Sequence, residues 1–236
     1  MPRAAVRCTR GGGTDSVSIL NGQIFVTASA PTHSGRAATF RVRLSTFIKH
    51  VKTKVTSNGV TRIKSTKVVT HIAHLSPTFL DNAKATDAIT GNDVTLHLTD
   101  PDSNALVPNN SGDLFAGDYV LNSQADDQLV FAAGLGGGHA RLTRLALSFG
   151  PTGIKAGVDD VRWALRDYAN LYVVDNKANK IYKIKGPFTA GEAIASLDTV
   201  GSASMGSTLA TLNDGSGELD PFVTGMKSAK GLLFMP

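Results

Sequence analysis

The chain has 236 residues, 42% of them apolar, 6% aromatic and 18% charged, with 24 glycines. That apolar content supports a real core, while the long Leu-, Glu-, Lys- and Ala-rich stretches of period 3.6 expected of a helical protein are missing, so a helical class is excluded. A single cysteine, Cys8, excludes an intrachain disulfide and a cysteine-based metal site.

The N-terminus, "MPRAAVRCTRGGG", is basic and lacks the apolar centre of a signal peptide, and no run is long enough to span a membrane. The expectation is a soluble protein without a signal peptide in this sequence; its compartment is unknown. Within this segment "AAVRCTR" reads as a spare strand ahead of the first repeat.

Next comes "TDSVSILNGQIFVTASAPTHSGRAATFRVRL": a strand, the tight turn "LNGQ", a second strand and a third. Polar and apolar residues then alternate through "FIKHVKTKVTSNGVTRIKSTKVVTHIAHL", which turns at Asn58-Gly59. Asn-Gly is a strong two-residue hairpin signal, so an extra basic hairpin is expected over about residues 46–75. Between Ser16 and Leu80 there is no Asp or Glu, against nine Lys or Arg and four His. A basic face of this kind suits an anionic partner. With Phe47 as the hairpin's one aromatic, a base-stacking surface is not evident, and nucleic acid is an unlikely partner.

The same three-strand grammar returns. A weaker copy is "TDAITGNDVTLHLTDPDSNALV"; a clear one places strands at Tyr119 to Leu121, Leu129 to Ala132 and Leu142 to Leu147. In "VDDVRWALRDYANLYVVDNKANKIYKI" an acidic step and an apolar strand precede the hairpin Asn170 to Ile184, whose "DNKANK" is turn chemistry. "DPFVTGMKSAKGLLFMP" offers two strands. Small sheets that cannot bury both faces alone must pack on one another, and radial packing gives a β-propeller. The expected fold is all-β: one domain over residues 1–236, a propeller of five blades with first strands near Ser16, Ala88, Tyr119, Val161 and Val223. The N-terminal strand would seal the last sheet and remove its open edge.

The first strand of each propeller blade lines the central channel. The residues at or just before it are acidic in four copies: Asp15, Asp87, Asp118, and Asp159 with Asp160. Converging carboxylates repel unless a cation or proton lies between them, and oxygen ligands suit Ca²⁺, so these five residues are the candidate metal ligands. A turn role is the competing reading of each, since an Asp there also satisfies backbone N–H groups. The loops Thr99 to Asp113 and Asn213 to Asp220 are rich in oxygen donors and are read as turns, with a peripheral Ca²⁺ as the minority alternative. His139, in the loop after "GLGGG", is the candidate solvent-facing acid or base. There is no G-x-S-x-G elbow, no H-x-H-x-D run and no suitable cysteine nucleophile.

The patterns "NLYVVDNKANKIYKI" and "GMKSAKGLLF" resemble the propellers of the gluconolactonase, regucalcin, paraoxonase and NHL-repeat group. The resemblance implies a hydrolase of lactones or related esters, of the N-acyl homoserine lactone or sugar lactone class. In it a channel Ca²⁺ polarises the carbonyl and an acid or His assists the attack of water, with Asp87, Asp160 and His139 as catalytic candidates. Those families mix Glu and Asn with Asp, whereas Glu192 and Glu218 fall off the expected channel strands here. The alternatives are a non-catalytic interaction scaffold and a glycosidase using the same channel-mouth carboxylates. A small-molecule substrate, no membrane and a monomer complete the expectation.

Overall fold

A computed structural model describes residues 14–31, 35–109, 112, 114–135, 140–150, 157–197 and 207–235. In chain order its strands are β1 (Val17–Leu20), β2 (Gln23–Thr27), β3 (Ala37–Ser57), β4 (Val60–Leu80), β5 (Lys84–Asp87) and β6 (Asp93–Thr95). They continue as β7 (Pro101–Leu106), β8 (Tyr119–Ser123), β9 (Gln128–Ala133), β10 (Arg141–Ala146), β11 (Ser148–Phe149) and β12 (Val158–Trp163). The last six are β13 (Asn170–Asp175), β14 (Lys180–Lys185), β15 (Ala193–Leu197), β16 (Ser207–Leu212), β17 (Glu218–Met226) and β18 (Ala229–Met235). The protein is all-β, as its composition requires.

Among the described residues the strands form four sheets, ordered β1-β2-β3-β4, β6-β5-β10-β9-β8-β7, β11-β17-β16-β15-β12 and β14-β13-β18. The first, second, third and fourth sheets are named here in that order. Both Asn-Gly turns have the two positive φ angles of a type I′ hairpin: Asn21 and Gly22 at 49° and 72°, Asn58 and Gly59 at 51° and 74°. The second sheet is buried on both faces. Tyr119, Leu121 and Val130 point into a core shared with Phe25 of the first sheet, while Val120, Leu129 and Phe131 point into one shared with Val161 and Trp163 of the third. Burial on both sides is why "YVL" and "LVFAA" read as unbroken apolar runs instead of alternating ones. A further core joins the third and fourth sheets through Leu171, Val173, Ile194, Leu209 and Phe234.

Strand pairing departs from the repeat grammar in three places. β12 pairs with β15, whereas the β13–β14 hairpin that follows it pairs through β13 with β18 in another sheet. β7, the expected third strand of the weak copy, lies at the far edge of the second sheet, away from β5 and β6, because it pairs with β8. The two strands of the closing stretch part company, β17 pairing with β16 and β18 with β13. Adjacency in sequence gave these groupings, and register and burial of both faces chose otherwise. Ala4 to Arg10, the expected sealing strand, lies outside the described residues.

What positions a site is the way the sheets meet. β1, β7, β12 and β18 are each an edge strand of a different sheet. They are joined by hydrogen bonds across sheets: Asn104 N donates to Ser16 Oγ at 3.1 Å, Arg162 Nη1 to the Asn104 carbonyl at 3.1 Å, and Leu232 N to Asp160 Oδ2 at 2.9 Å. Four sheets thus turn one edge each toward a common junction, as propeller blades do.

Candidate functional site

The pairing of β7 with β8 shifts register between Pro101 and Asn104, and this irregular stretch carries Asp102, with Asp100 just before the strand. Pro101 sits at the first position of this edge strand, where its missing N–H breaks no ladder. Two further acids act on Asp102: Asp15, exposed at the start of β1, and Asp159, half-buried in β12. Lys230 of β18 completes the group, its Nζ donating to Asp159 Oδ1 at 2.5 Å.

Four carboxyl groups and one ammonium therefore share one neighbourhood, and the charges do not balance. Partial burial pushes the Asp102 carboxyl up to about 7, helped by repulsion from Asp159, Asp100 and Asp15 and opposed by Lys230. Burial also raises Asp100, with Asp15, Asp126 and Asp159 adding to it. Asp126 is anchored apart, accepting from Thr99 N at 2.7 Å, Thr99 Oγ1 at 2.8 Å and Ser123 Oγ at 2.5 Å. With a value of about 7, the Asp102 carboxyl holds its proton about half of the time at neutral pH, beside an ion-paired carboxylate.

The candidates read from sequence fall in different places. Asp15 and Asp159 belong to this junction. Asp160, one residue on, is buried: it accepts from Val161 N at 2.9 Å and Leu232 N at 2.9 Å and pairs with Arg162 Nη1 at 2.7 Å. Burial raises its carboxyl to about 6 despite Arg162 and those N–H donors. Asp87 closes its own turn, accepting from Thr90 N at 2.9 Å, Thr90 Oγ1 at 3.0 Å and Ile89 N at 3.2 Å, and pairs with Arg144 at 2.9 Å. The Thr90 N–H leads in holding its carboxyl below the usual range against partial desolvation. Asp118 precedes β8, and burial raises it against the pull of Arg141. Neither Asp87 nor Asp118 is among the charges named as acting on Asp100 or Asp102. His139 lies outside the described residues.

Asp100, Asp102 and Lys230 escaped the sequence reading. "DPDSN" has the chemistry of a turn, and the bulge between Pro101 and Asn104 breaks the alternation that would have marked a strand. Of the loop Asn213 to Asp220, the first part is a turn, with Asn213 Oδ1 accepting from Gly215 N at 2.9 Å and the Asn213 carbonyl from Gly217 N at 2.8 Å, while Glu218 to Asp220 begin β17.

Among the described residues no three His, Cys, Asp or Glu side chains are arranged to hold a metal ion. The five aspartates expected to bind Ca²⁺ do not form one such set, and the cation beside Asp159 is the Lys230 ammonium. Among the described residues, no helix is long and apolar enough to cross a membrane.

No family profile and no curated protein matches the chain. A search of solved structures finds a periplasmic gluconolactonase of Pseudomonas aeruginosa at 10% identity and a TM-score of 0.32, covering 94% of this chain and 72% of that one.

Proposed function

We propose that the protein is a hydrolase of lactones or related esters whose acid and base stand at the junction of the four edge strands. The observation that carries this reading is Asp102, raised to about 7 by burial and by Asp159, Asp100 and Asp15. A carboxyl near the working pH is suited to giving a proton as bonds break, and pairs of acids pushed apart in pKa mark acid and base roles.

In this mechanism the carboxylate of Asp159, paired with Lys230, takes a proton from water as its oxygen attacks the acyl carbon. Lys230 donates a hydrogen bond to the carbonyl oxygen as that atom gains charge. The acyl C–O bond breaks, Asp102 gives its proton to the leaving oxygen, and a hydroxy acid results. The proton on Asp159 returns to Asp102 through solvent, which restores both groups. The excess of carboxyl groups disfavours anionic substrates, and a neutral cyclic ester meets no such repulsion.

The test is hydrolysis of a panel of γ- and δ-lactones and aryl esters, followed by proton release. Asp102→Asn and Asp159→Asn are compared with wild type at equal folded fraction. Hydrolysis by wild type, lost about 100-fold or more in either variant, is expected for a positioned acid or base. No turnover above the double variant on any substrate would sink the reading. Turnover of chromogenic glycosides instead would transfer the same carboxyls to a glycosidase.

A further inference from the structure

The long hairpin of β3 and β4 has no part in that chemistry. From Arg43 to Ser57 and from Val60 to His74 its side chains are exposed apart from half-buried Ser45, so the ribbon stands clear of the sheets on both faces. The register runs unbroken from Arg43 opposite His74 to Ser57 opposite Val60. At about 3.3 Å per residue this arm extends about 50 Å.

Such a ribbon is not stable by itself, since two strands in water have no third layer to pack against. Yet it carries large apolar side chains on both faces. Phe47, Val51 and Val55 lie on one face, exposed by 54%, 36% and 47%; on the other, Ile48 at 55% stands opposite Val69, and Ile63 at 66% opposite Lys54. A purely solvated arm has no use for these groups, and exposed apolar surface of this extent marks a contact.

Charge identifies the partner. Residues 16–80 hold nine Lys or Arg and no Asp or Glu, while the rest of the chain holds fifteen Lys or Arg against nineteen Asp or Glu. Two arms repel each other; an arm and the remainder of another copy attract. We propose that the arm docks on the body of a second copy of this chain, a head-to-tail contact that propagates into a ring or a chain of subunits. One face of a ribbon about 10 Å wide offers about 500 Å². The second copy must therefore grip both faces to reach the roughly 800 Å² per partner of a stable interface. The apolar groups on both faces fit that grip, whereas a nucleic acid held by phosphate contacts would engage the basic groups alone.

Light scattering coupled to size exclusion, and sedimentation velocity, decide the matter on the full chain from about 1 to 200 µM. The expected result is a mass of at least twice 24.7 kDa at the upper concentrations, falling as salt is raised. Two variants with wild-type circular dichroism, Phe47→Thr/Val51→Thr/Ile63→Thr and Lys52→Glu/Lys54→Glu/Lys67→Glu, should each weaken assembly tenfold or more. Hydrogen exchange of the unaltered chain gives an independent reading: amides of residues 43–74 should gain protection as concentration rises. A mass of 24.7 kDa throughout, or assembly unchanged in both variants, overturns the proposal. Wild type that stays monomeric but retards duplex DNA with a steep salt dependence overturns it in favour of nucleic acid.

Discussion

Lys230 Nζ lies 2.5 Å from Asp159 Oδ1, and this ion pair bridges β18 and β12, the edge strands of two different sheets. The ammonium leaves Asp102 as the group that must keep its proton. Lys230→Met should therefore raise the Asp102 carboxyl above about 7, because the one cation opposing its neighbours is gone. The basic-side pKa of the pH–rate profile should move up with it. A profile that stays put in this variant would detach Asp102 from the chemistry.

Stability should fall as pH rises through neutrality. A carboxyl raised in the folded state binds more protons there than in the unfolded chain. Its contribution is complete below the unfolded pKa near 4 and is lost as pH rises through the folded value, about 6 for Asp160 and about 7 for Asp102. Asp87 and Asp175 have lowered values and act oppositely, losing their contribution as pH falls below about 4. Urea melts from pH 3 to 9 should place the maximum on the acid side of neutral. Asp102→Asn should match wild type near pH 4 and exceed it at pH 8 by about 1–3 kcal/mol, after discounting for solvent screening.

Asp175→Ala should cost about 2–4 kcal/mol in chemical denaturation, from three N–H partners of a buried carboxylate lost together, that of Ser228 itself buried. Asp175 Oδ1 accepts from Ala178 N and Ser228 N, each at 3.0 Å, and Oδ2 from Lys227 N at 3.0 Å. Burial pushes this carboxyl up, and the N–H groups of Lys227, Ala178 and Ser228 more than reverse the effect. Asp175→Asn, with one accepting oxygen, should fall between wild type and the alanine variant. A loss below about 0.5 kcal/mol for Ala would show that these amides find other partners.

Gly217→Ala should be among the most damaging single-methyl changes in the protein. Gly217 has a φ of +73°, and an added Cβ would lie 1.9 Å from the Ala146 carbonyl oxygen. That oxygen belongs to backbone, which cannot swing aside, while Gly217 also accepts a hydrogen bond from Ser148 N at 3.0 Å. The parallel pairing of β11 with β17 starts beside this contact. The expected cost is about 2–5 kcal/mol, read from the denaturation midpoint.

The strands themselves were legible because their signals are local. Asn58-Gly59 between alternating residues gave a hairpin, and the apolar runs of β8 and β9 gave buried strands. Sheet membership was not legible. Nothing local in "VDDVRW" tells that it pairs with "AIASL" thirty-odd residues on, and not with the neighbouring "NLYVVD". The candidate site inherited that error. Asp15, Asp87, Asp118 and Asp159 look alike in sequence, each an acid beside a short apolar run, and only the sheet order shows that β1 and β12 are edges while β5 and β8 are interior. Asp102 was passed over since Asp, Pro, Ser and Asn spell a loop, and only the partner strand β8 makes Pro101–Leu106 extended.

The interleaving of the third and fourth sheets bears on how the chain is made. The first two sheets use residues no later than Ala146, so they are complete while the remainder is still being synthesised. β13 leaves the ribosome long before β18, the strand that covers its second edge. Until Ala229–Met235 arrive, the apolar face of Leu171 and Val173 has no Leu232 or Phe234 to meet. A nascent chain halted before residue 229 would thus hold every strand of three sheets and leave the second edge of β13 uncovered, which is where a chaperone would find it.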